Sequence, residues 1–452
     1  MMQPTLTIGN ATIYAGNNLD ILPTLPDNSV DSIVCDPPYE LGFMGKTWDS
    51  SGIAYSVQLW RECLRVLKPG GHLLAFGGTR TWHRLAVAIE DAGFEIRDNI
   101  AWLYGSGFPK SHNISKAIDK AAGAERTVIG RNPNSRENAT KDNTLYESGT
   151  VGKTDFITEA TTDDAKAWDG WGTALKPAHE PIVVARKPFQ GTIAENVLKY
   201  GTGALNIDAT RIGFTETETD NRIGTDFVSN NGDASNNAND NQVPNKHYVQ
   251  MYKADGRWPA NIILDEYTAE LLDQQSGISK PSKSKTGKVG GQKGLYENGH
   301  SPDFVSTWPA DNGGGASRFF YVAKANKRDR NEGLENIEGQ EIGAKGNGLA
   351  RTCNTCNASV LDGCDCPDRT FSNPVRQNFH PTVKPTALMQ YLIRLVTPDN
   401  GVVLDPFAGS GSTGKAAILE NKRFIGIELT AEYLPIIEGR LTHAYETVRN
   451  NE

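Results

Sequence analysis

The amino-acid sequence predicts an α/β protein whose doubly wound, mostly parallel sheet is interrupted by a large insertion. Two observations support this. Short apolar runs alternate with segments of helical spacing from about Thr5 to Lys120, and the alternation returns from about Thr386 to Arg449. Strands that alternate with helices imply a parallel sheet covered on both faces. Each segment also holds a strand that stops in a turn of proline or glycine, and open sheets of this kind bind ligands beyond the carboxyl ends of their strands.

In the first segment, Ser32-Ile33-Val34-Cys35 reads as a buried strand halted by Asp36-Pro37-Pro38. Leu59, Cys63, Val66 and Leu67 give helical spacing across Tyr55 to Leu67, and Lys68-Pro69-Gly70-Gly71 stops that helix. His72 to Phe76 follows as a strand, Trp82 to Ala92 as a helix closed by Gly93, and Phe94 to Leu103 as another strand. In the last segment, Leu388, Tyr391, Leu392 and Leu395 mark a helix before the strand Val402-Val403-Leu404. A helix then starts near Ser412, a strand runs from Arg423 to Ile427 and ends at Glu428, and a terminal helix spans roughly Ala431 to Glu446.

The polar stretches Asn132 to Asp164 and Thr215 to Asn245 lack the apolar residues of a core, and the second, rich in Asn, Asp and Gly, is expected to be mobile or disordered. Pro181 to Arg186, Ile193 to Ile212 and Arg257 to Leu272 are more structured pieces. The chain therefore divides into residues 1–212, with a polar insertion at about 130–165, an inserted region at 213–376, and a closing segment at 377–452.

At 452 residues the chain is longer than one core requires, which fits a large domain with insertions. The net charge of -8 speaks against a basic footprint over the whole surface. Local basic runs exist (Lys324, Lys327, Arg328 and Arg330; Lys280, Lys283, Lys285 and Lys288), although such runs are by default solvated surface. The first residues show no leader pattern and no stretch approaches ~18 apolar residues, so neither secretion nor a membrane span is expected. Six cysteines, four of them in one cluster, do not form a secreted disulfide framework, which makes the cytosol the expected compartment.

Chemistry concentrates in two turns. In Asp405-Pro406-Phe407-Ala408-Gly409-Ser410-Gly411 a strand enters a glycine turn and a helix leaves it. Such glycines let backbone N–H groups approach a ligand, and Glu428, ending the next strand, suits two ribose hydroxyls. The overlapping string from Gly409 to Lys415 imitates a phosphate-binding loop, but the position that must carry a metal-coordinating hydroxyl is Ala416. A nucleoside triphosphatase is thereby set aside.

The other turn is Asp36-Pro37-Pro38-Tyr39. A ring-attached amine is a poor nucleophile because its lone pair is delocalised. Hydrogen bonds from its protons to Asp36 and to a prolyl carbonyl would draw the nitrogen toward tetrahedral geometry, and Tyr39 would stack on a base once it leaves a duplex. Cys35 is read as a small strand residue rather than a nucleophile.

These motifs, with YGSGFPKSHNISKAID, LKPAHEPIVVARKP, YGTGALNID, HPTVKP and FIGIEL, resemble the DNA amino-methyltransferases, in the subgroup whose Asp-Pro-Pro-Tyr precedes its glycine turn. The resemblance covers about two-thirds of the chain and is closest to the solitary enzymes of bacteria and their phages. It implies a Rossmann-like methyltransferase sheet, with target recognition in the insertion, and a cytosolic enzyme acting on double-stranded DNA. S-adenosylmethionine is the implied cofactor, and a homodimer is left open. It assigns Asp36, Pro37, Pro38 and Tyr39 to the target-base pocket, Phe407, Gly409 and Gly411 to the methionine end of the cofactor, and Glu428 to its ribose. His380, Pro381, Thr382, Lys384 and Pro385 sit beside the cofactor, and Asn17, Asp36, Asp405, Ala408, Ser410 and Leu429 complete its surroundings. Asn17 departs from the family, which has aspartate there and so a charge that this chain lacks. Asp36 at the first motif position leans toward adenine N6, with cytosine N4 second. An RNA or protein methyltransferase and an inactive DNA-binding scaffold are the rival readings.

Cys353, Cys356, Cys364 and Cys366 stand apart from this chemistry. Four closely spaced thiols in a cytosolic protein suit a structural zinc ion that knits an insertion together, against an ordinary loop with free thiols. Arg257, Lys324 and Arg328 are candidate phosphate contacts.

Overall fold

The structure is a computed structural model that describes residues 3–42, 47–105, 107, 111–131, 156–213, 226–229, 247–250, 252–253, 256–280, 285–289, 304–308, 313–323, 328–341, 352–353, 371–372 and 375–450. Two compact units are present, one of residues 1–105, 179–333 and 382–452, the other of residues 106–178 and 334–381.

The first unit is built on a ten-stranded sheet. Its strands are β1 (Leu6–Ile8), β2 (Ala11–Ala15), β3 (Val30–Cys35), β4 (Leu67–Phe76), β5 (Glu95–Leu103), β6 (His179–Arg186), β7 (Ile262–Asp265), β8 (Tyr321–Ala323), β9 (Val402–Asp405) and β10 (Arg423–Glu428). They lie in the order β1-β2-β10-β9-β3-β4-β6-β5-β7-β8. All pairings are parallel except β1 with β2 and those of β6 with β4 and β5. The expected doubly wound, mostly parallel sheet is therefore present.

Head and tail of the chain meet at its centre. Ser32 and Ile33 of β3 pair with Val403 and Leu404 of β9, and β10 runs between β9 and β2. From β3 the chain passes to β4 on one side, and from β9 to β10 on the other. The crevice between β3 and β9 is thus the topological switch point, where open α/β sheets bind their ligands.

The helices are α1 (Asn18–Ile21), α2 (Val57–Val66), α3 (Trp82–Asp91), α4 (Ile114–Ala121), α5 (Asp163–Ala167), α6 (Ile193–Tyr200), α7 (Glu266–Ser276), α8 (Thr386–Val396), α9 (Ser412–Leu419) and α10 (Leu434–Arg449). Every residue of β3 is buried, as a strand covered on both faces requires. Val34 and Leu74 face a core completed by Leu388, Met389 and Leu392 of α8, Ala416 of α9 and Ile437 of α10. Their neighbours Ile33, Cys35 and Leu73 face the opposite core with Leu59, Trp60 and Cys63 of α2 and Leu85 and Ile89 of α3. The period-two alternation of strand side chains produces this division. Ser56 caps α2 through Leu59 N, and a capping box of Thr192 and Glu195 starts α6, which Gly201 ends in the left-handed region.

The sheet is larger than its two terminal segments. The middle of the chain supplies β6, β7 and β8, so the inserted region is partly woven into the central sheet. Parts of the polar stretches 132–164 and 215–245, namely 132–155, 215–225 and 230–245, lie outside the described residues.

In the second unit, Asp119 on α4 is buried and accepts from Thr161 N, Thr162 N, Thr162 Oγ1 and Arg126 Nη1, tying α4 to the chain entering α5. No helix among the described residues is long and apolar enough to cross a membrane.

Candidate active site

β3 ends at Cys35 and delivers Asp36 to the switch point, one strand away from Asp405 at the end of β9. Asp36 accepts from Lys384 Nζ at 2.7 Å through Oδ2, while Oδ1 is buried without a hydrogen-bond partner. A buried acceptor left unpaired costs ~1–3 kcal/mol, and such an atom signals a group that a ligand satisfies. Pro37 is buried, and Pro38 and Tyr39 are partly exposed.

Tyr39 is held at both ends. Its carbonyl accepts from Thr81 Oγ1 at 2.8 Å, and its hydroxyl donates to Glu180 Oε2 at 2.7 Å and accepts from Lys384 Nζ at 3.1 Å. A Cβ at Gly78 would come within 3.2 Å of Tyr39 Cδ2. The next residue, Glu40, sits at φ +54°, and its carboxylate accepts from Gly52 N at 2.8 Å and Ala54 N at 3.3 Å. Asp49 Oδ1 accepts from Glu40 N at 3.0 Å. The turn after Tyr39 is therefore pinned.

Lys384 is the buried cation of this corner, 2.7 Å from Asp36 and 3.2 Å from Glu180. Its ammonium lies 4.9 Å from the centre of the Phe76 ring and 5.2 Å from that of Tyr39. Burial alone would lower its pKa, but Asp36 and then Glu180 outweigh that and push it up to about 12. Burial, and then the Asp36 and Glu180 charges, raise the Tyr39 hydroxyl well above its ordinary value, so it stays protonated.

The glycine turn faces this corner from β9. Asp405 is buried and spends both oxygens on the turn itself, accepting from Phe407 N at 2.9 Å and Thr413 Oγ1 at 2.6 Å. Gly409 and Gly411 sit at φ +54° and +75°, which side chains rarely adopt. Glu428 accepts from Gly409 N and Thr430 N, each at 2.7 Å, one to each oxygen. Burial pushes Asp405 up to about 7 and raises Glu428 as well. Phe407 packs beside Trp60 at 6.3 Å, and Leu429 is 66% exposed just past Glu428. Ala408 and Ser410 are buried within the turn.

Asn17 follows β2, whose Ala15 pairs with Glu428, and caps α1 by accepting from Leu19 N at 3.0 Å. Asn18 Nδ2 donates to the Pro406 carbonyl at 3.2 Å, bracing the two turns together. The structure thus brings Asn17, Asp36 to Tyr39, Lys384, Asp405 to Gly411, Glu428 and Leu429 to one edge of one sheet. Thr382 lies in the same unit, and Pro385 precedes α8. His380 and Pro381 belong to the other unit, where His380 N donates to Asn378 Oδ1.

Residue pattern alone assigns no role to Glu180, Thr81 or Asn18. For Glu180 the available signal was an acidic residue directly before the apolar run Pro181 to Ala185.

Lys415 explains the imitation phosphate loop. Its ammonium is buried and donates to Asp329 Oδ1 at 2.8 Å and Glu332 Oε2 at 2.9 Å, so it is committed to packing. Asp329 also accepts from Thr386 N, and fully buried Arg440 approaches it to 3.6 Å while donating to the Ser410 carbonyl at 2.8 Å. Cys35 is buried, and burial above all raises its thiol far from a thiolate, as expected of a strand residue. Arg257, read as a phosphate contact, is instead buried, with Nη1 donating to the Arg318 carbonyl at 3.1 Å. Lys324 lies outside the described residues. Of the cysteine cluster Cys353 is buried, and Cys356, Cys364 and Cys366 lie outside the described residues.

Comparison with known proteins decides the family. Residues 30–439 match the family model for N6/N4 DNA methylases. The chain belongs to that family. Among relatives, it is 49% identical over 62 residues to the DNA adenine methyltransferase YhdJ of Escherichia coli, covering 14% of this chain and 21% of that one. It is 35% identical over 92 residues to the type II methyltransferase M.ScaI of Streptomyces caespitosus, covering 20% and 30%. With M.HindIII of Haemophilus influenzae it shares 27% over 154 residues, 33% and 38% of the two chains. The matches therefore span between about a fifth and two-fifths of these relatives' lengths. Among solved structures, the cytosine-N4-specific PvuII DNA methyltransferase aligns over 100% of this chain and 96% of its own at 14% identity and a TM-score of 0.41. The M1.HpyAVI–SAM complex aligns over 95% and 98% at 15% identity and a TM-score of 0.35.

Proposed function

We propose that this member of the N6/N4 DNA methylase family transfers a methyl group from S-adenosylmethionine to an exocyclic amine of DNA, adenine N6 ahead of cytosine N4. The observation that carries the reading is the unpaired, buried Oδ1 of Asp36 at the switch point, beside a glycine turn on the adjoining strand.

The residues fit a cationic cofactor. Asp36 and Glu180 flank the Lys384 ammonium, and the charges of Asp36 and Glu428 reach buried Asp405, so the corner is rich in carboxylates. A positively charged ligand offsets the carboxylate repulsion from Asp36 and Glu428 that adds to burial in raising Asp405. Gly409 and Gly411 leave room for close backbone approach, Glu428 ends the adjoining strand where an acid suits ribose hydroxyls, and exposed Leu429 offers an apolar flank. When bound, S-adenosylmethionine supplies an electrophilic methyl group.

The protein's part is positioning. Asp36 accepts one amine proton and a prolyl carbonyl of Pro37 or Pro38 the other, which localises the nitrogen lone pair. Rotation of the carboxylate about Cβ–Cγ exchanges its two oxygens, so Lys384 can keep one while the other meets the base. The Tyr39 ring supplies a stacking face for a base taken out of the duplex. No covalent enzyme intermediate is needed, in keeping with the inert Cys35 thiol.

Labelled methyl transfer to unmethylated genomic DNA tests the reading. Asp36→Ala is expected to abolish transfer while calorimetry finds cofactor binding largely kept. Transfer that survives Asp36→Ala, or label that goes to RNA or protein instead of DNA, would reject it. We also infer that Cys353, Cys356, Cys364 and Cys366 hold a structural zinc ion apart from the methyl-transfer chemistry.

A further inference from the structure

We propose that Glu180 is a positioning residue for this reaction, fixing through Lys384 and Tyr39 how Asp36 and the stacking ring meet the base. The inference rests on the methyltransferase reading above and adds a group that the Asp-Pro-Pro-Tyr motif does not contain.

The reversed strand β6 puts Glu180 there. In a parallel sheet the start of a strand lies at the edge opposite the ligands, but β6 runs against β4 and β5. Ile182 consequently pairs with Phe76 at the end of β4, and Glu180 with Trp102 near the end of β5. A residue that begins its strand so arrives among residues that end theirs.

Lys384 has three N–H donors, and three acceptors surround it: Asp36 Oδ2 at 2.7 Å, Tyr39 Oη at 3.1 Å and Glu180 Oε2 at 3.2 Å. Without Glu180 the ammonium would be a lone partner for Asp36, free to lie across both carboxylate oxygens and compete for the one a base needs. Glu180 draws it toward Oδ2 and balances its charge. Glu180 also accepts a hydrogen bond from the Tyr39 hydroxyl, and with Thr81 on the Tyr39 carbonyl the ring is held from both ends. The hydroxyl is spent as donor and as acceptor, which leaves the ring face as the part of Tyr39 available to a base.

Three proteins test this against wild type: Glu180→Gln, Tyr39→Phe and the double variant. Each is assayed for single-turnover transfer to unmethylated genomic DNA, for cofactor affinity by calorimetry and for thermal melting. Glu180→Gln keeps the size of the side chain and loses its charge. Transfer is expected to fall about ten- to a hundredfold, the scale of a small misplacement of reacting groups. Cofactor affinity and melting should stay near wild type, which a merely structural role would not allow. Because Glu180 and Tyr39 act as one unit, the double variant should be little slower than Glu180→Gln alone. Wild-type transfer rates in Glu180→Gln, rate losses that multiply in the double variant, or a loss of cofactor affinity equal to the loss of rate would each overturn the proposal. A wild-type protein that methylates no DNA would instead reject the underlying reading, and this proposal with it.

Discussion

Replacing Asp329 by alanine should remove most of the stability of the first unit. The carboxylate accepts from Thr386 N at the start of α8, pairs with Lys415 of α9 at 2.8 Å and lies 3.6 Å from Arg440 of α10. The lost cap on α8 is worth about 1 kcal/mol. Lys415 and Arg440 are almost wholly buried, and stripping a buried ion pair of one partner costs about 3–5 kcal/mol. The sum, about 4–6 kcal/mol, is comparable with the whole stability of many domains. Glu332 on Lys415 and the Ser410 carbonyl on Arg440 soften the loss without cancelling it. Urea denaturation followed by circular dichroism at pH 7 measures it. Adding Lys415→Met to Asp329→Ala should recover part of the loss, since the orphaned ammonium goes too. A loss below about 1 kcal/mol, or no recovery in the double variant, would refute the reasoning. Burial raises the Asp329 carboxyl, but its bonds from Lys415 and Thr386 outweigh that and hold it below its ordinary value. Its contribution is therefore present at neutral pH and disappears as pH falls through that lowered value.

Asp405 has the opposite sign. With its carboxyl pushed up to about 7, the folded state holds a proton that the unfolded chain gives up, so stability falls as pH rises from about 4 through 7. Three pKa units amount to about 4 kcal/mol, and Asp405→Asn should flatten that slope when melting is compared at pH 5 and pH 8. Gly411→Ala forces a side chain into φ +75° with its Cβ 3.0 Å from Leu441 Cδ1. A loss of about 1–3 kcal/mol and weaker cofactor binding by calorimetry should follow, and an unchanged affinity would remove this turn from the cofactor site. Cys35→Ala should leave the transfer rate intact, because a buried thiol with a raised pKa supplies no thiolate; a large loss of rate would reopen covalent chemistry. Elemental analysis should find stoichiometric zinc that is absent from Cys353→Ser, and a metal-free wild type would dismiss that site.

The central sheet was legible wherever burial wrote a continuous signal. Ile33 to Cys35 and Val402 to Leu404 are apolar because each is covered on both faces, and the prolines and glycines that end them announce the turns. The meeting of the two ends followed from the chemistry of those turns, since neither alone makes a site. β7 and β8 were harder, being four and three residues long within polar sequence and stabilised by pairing with β5 and each other. Glu180 could not be placed because its position depends on the direction of β6, and strand direction leaves no mark on residue pattern. Lys415 shows the converse failure, a motif-like string whose lysine turns inward once Asp329 and Glu332 are known.

The pairing of β3 with β9 has a consequence for synthesis. Asp36 and the lysine that grips it are 348 residues apart. At roughly 5–20 residues per second, a ribosome needs on the order of 20–70 s between them. Throughout that interval the flank of β3 that awaits β9 is an open, apolar strand edge, the kind of surface that recruits other unfinished chains. Newly made molecules thus lack the crevice between β3 and β9 and are most prone to clumping until the tail emerges, which makes the last seventh of the chain the step that closes this edge.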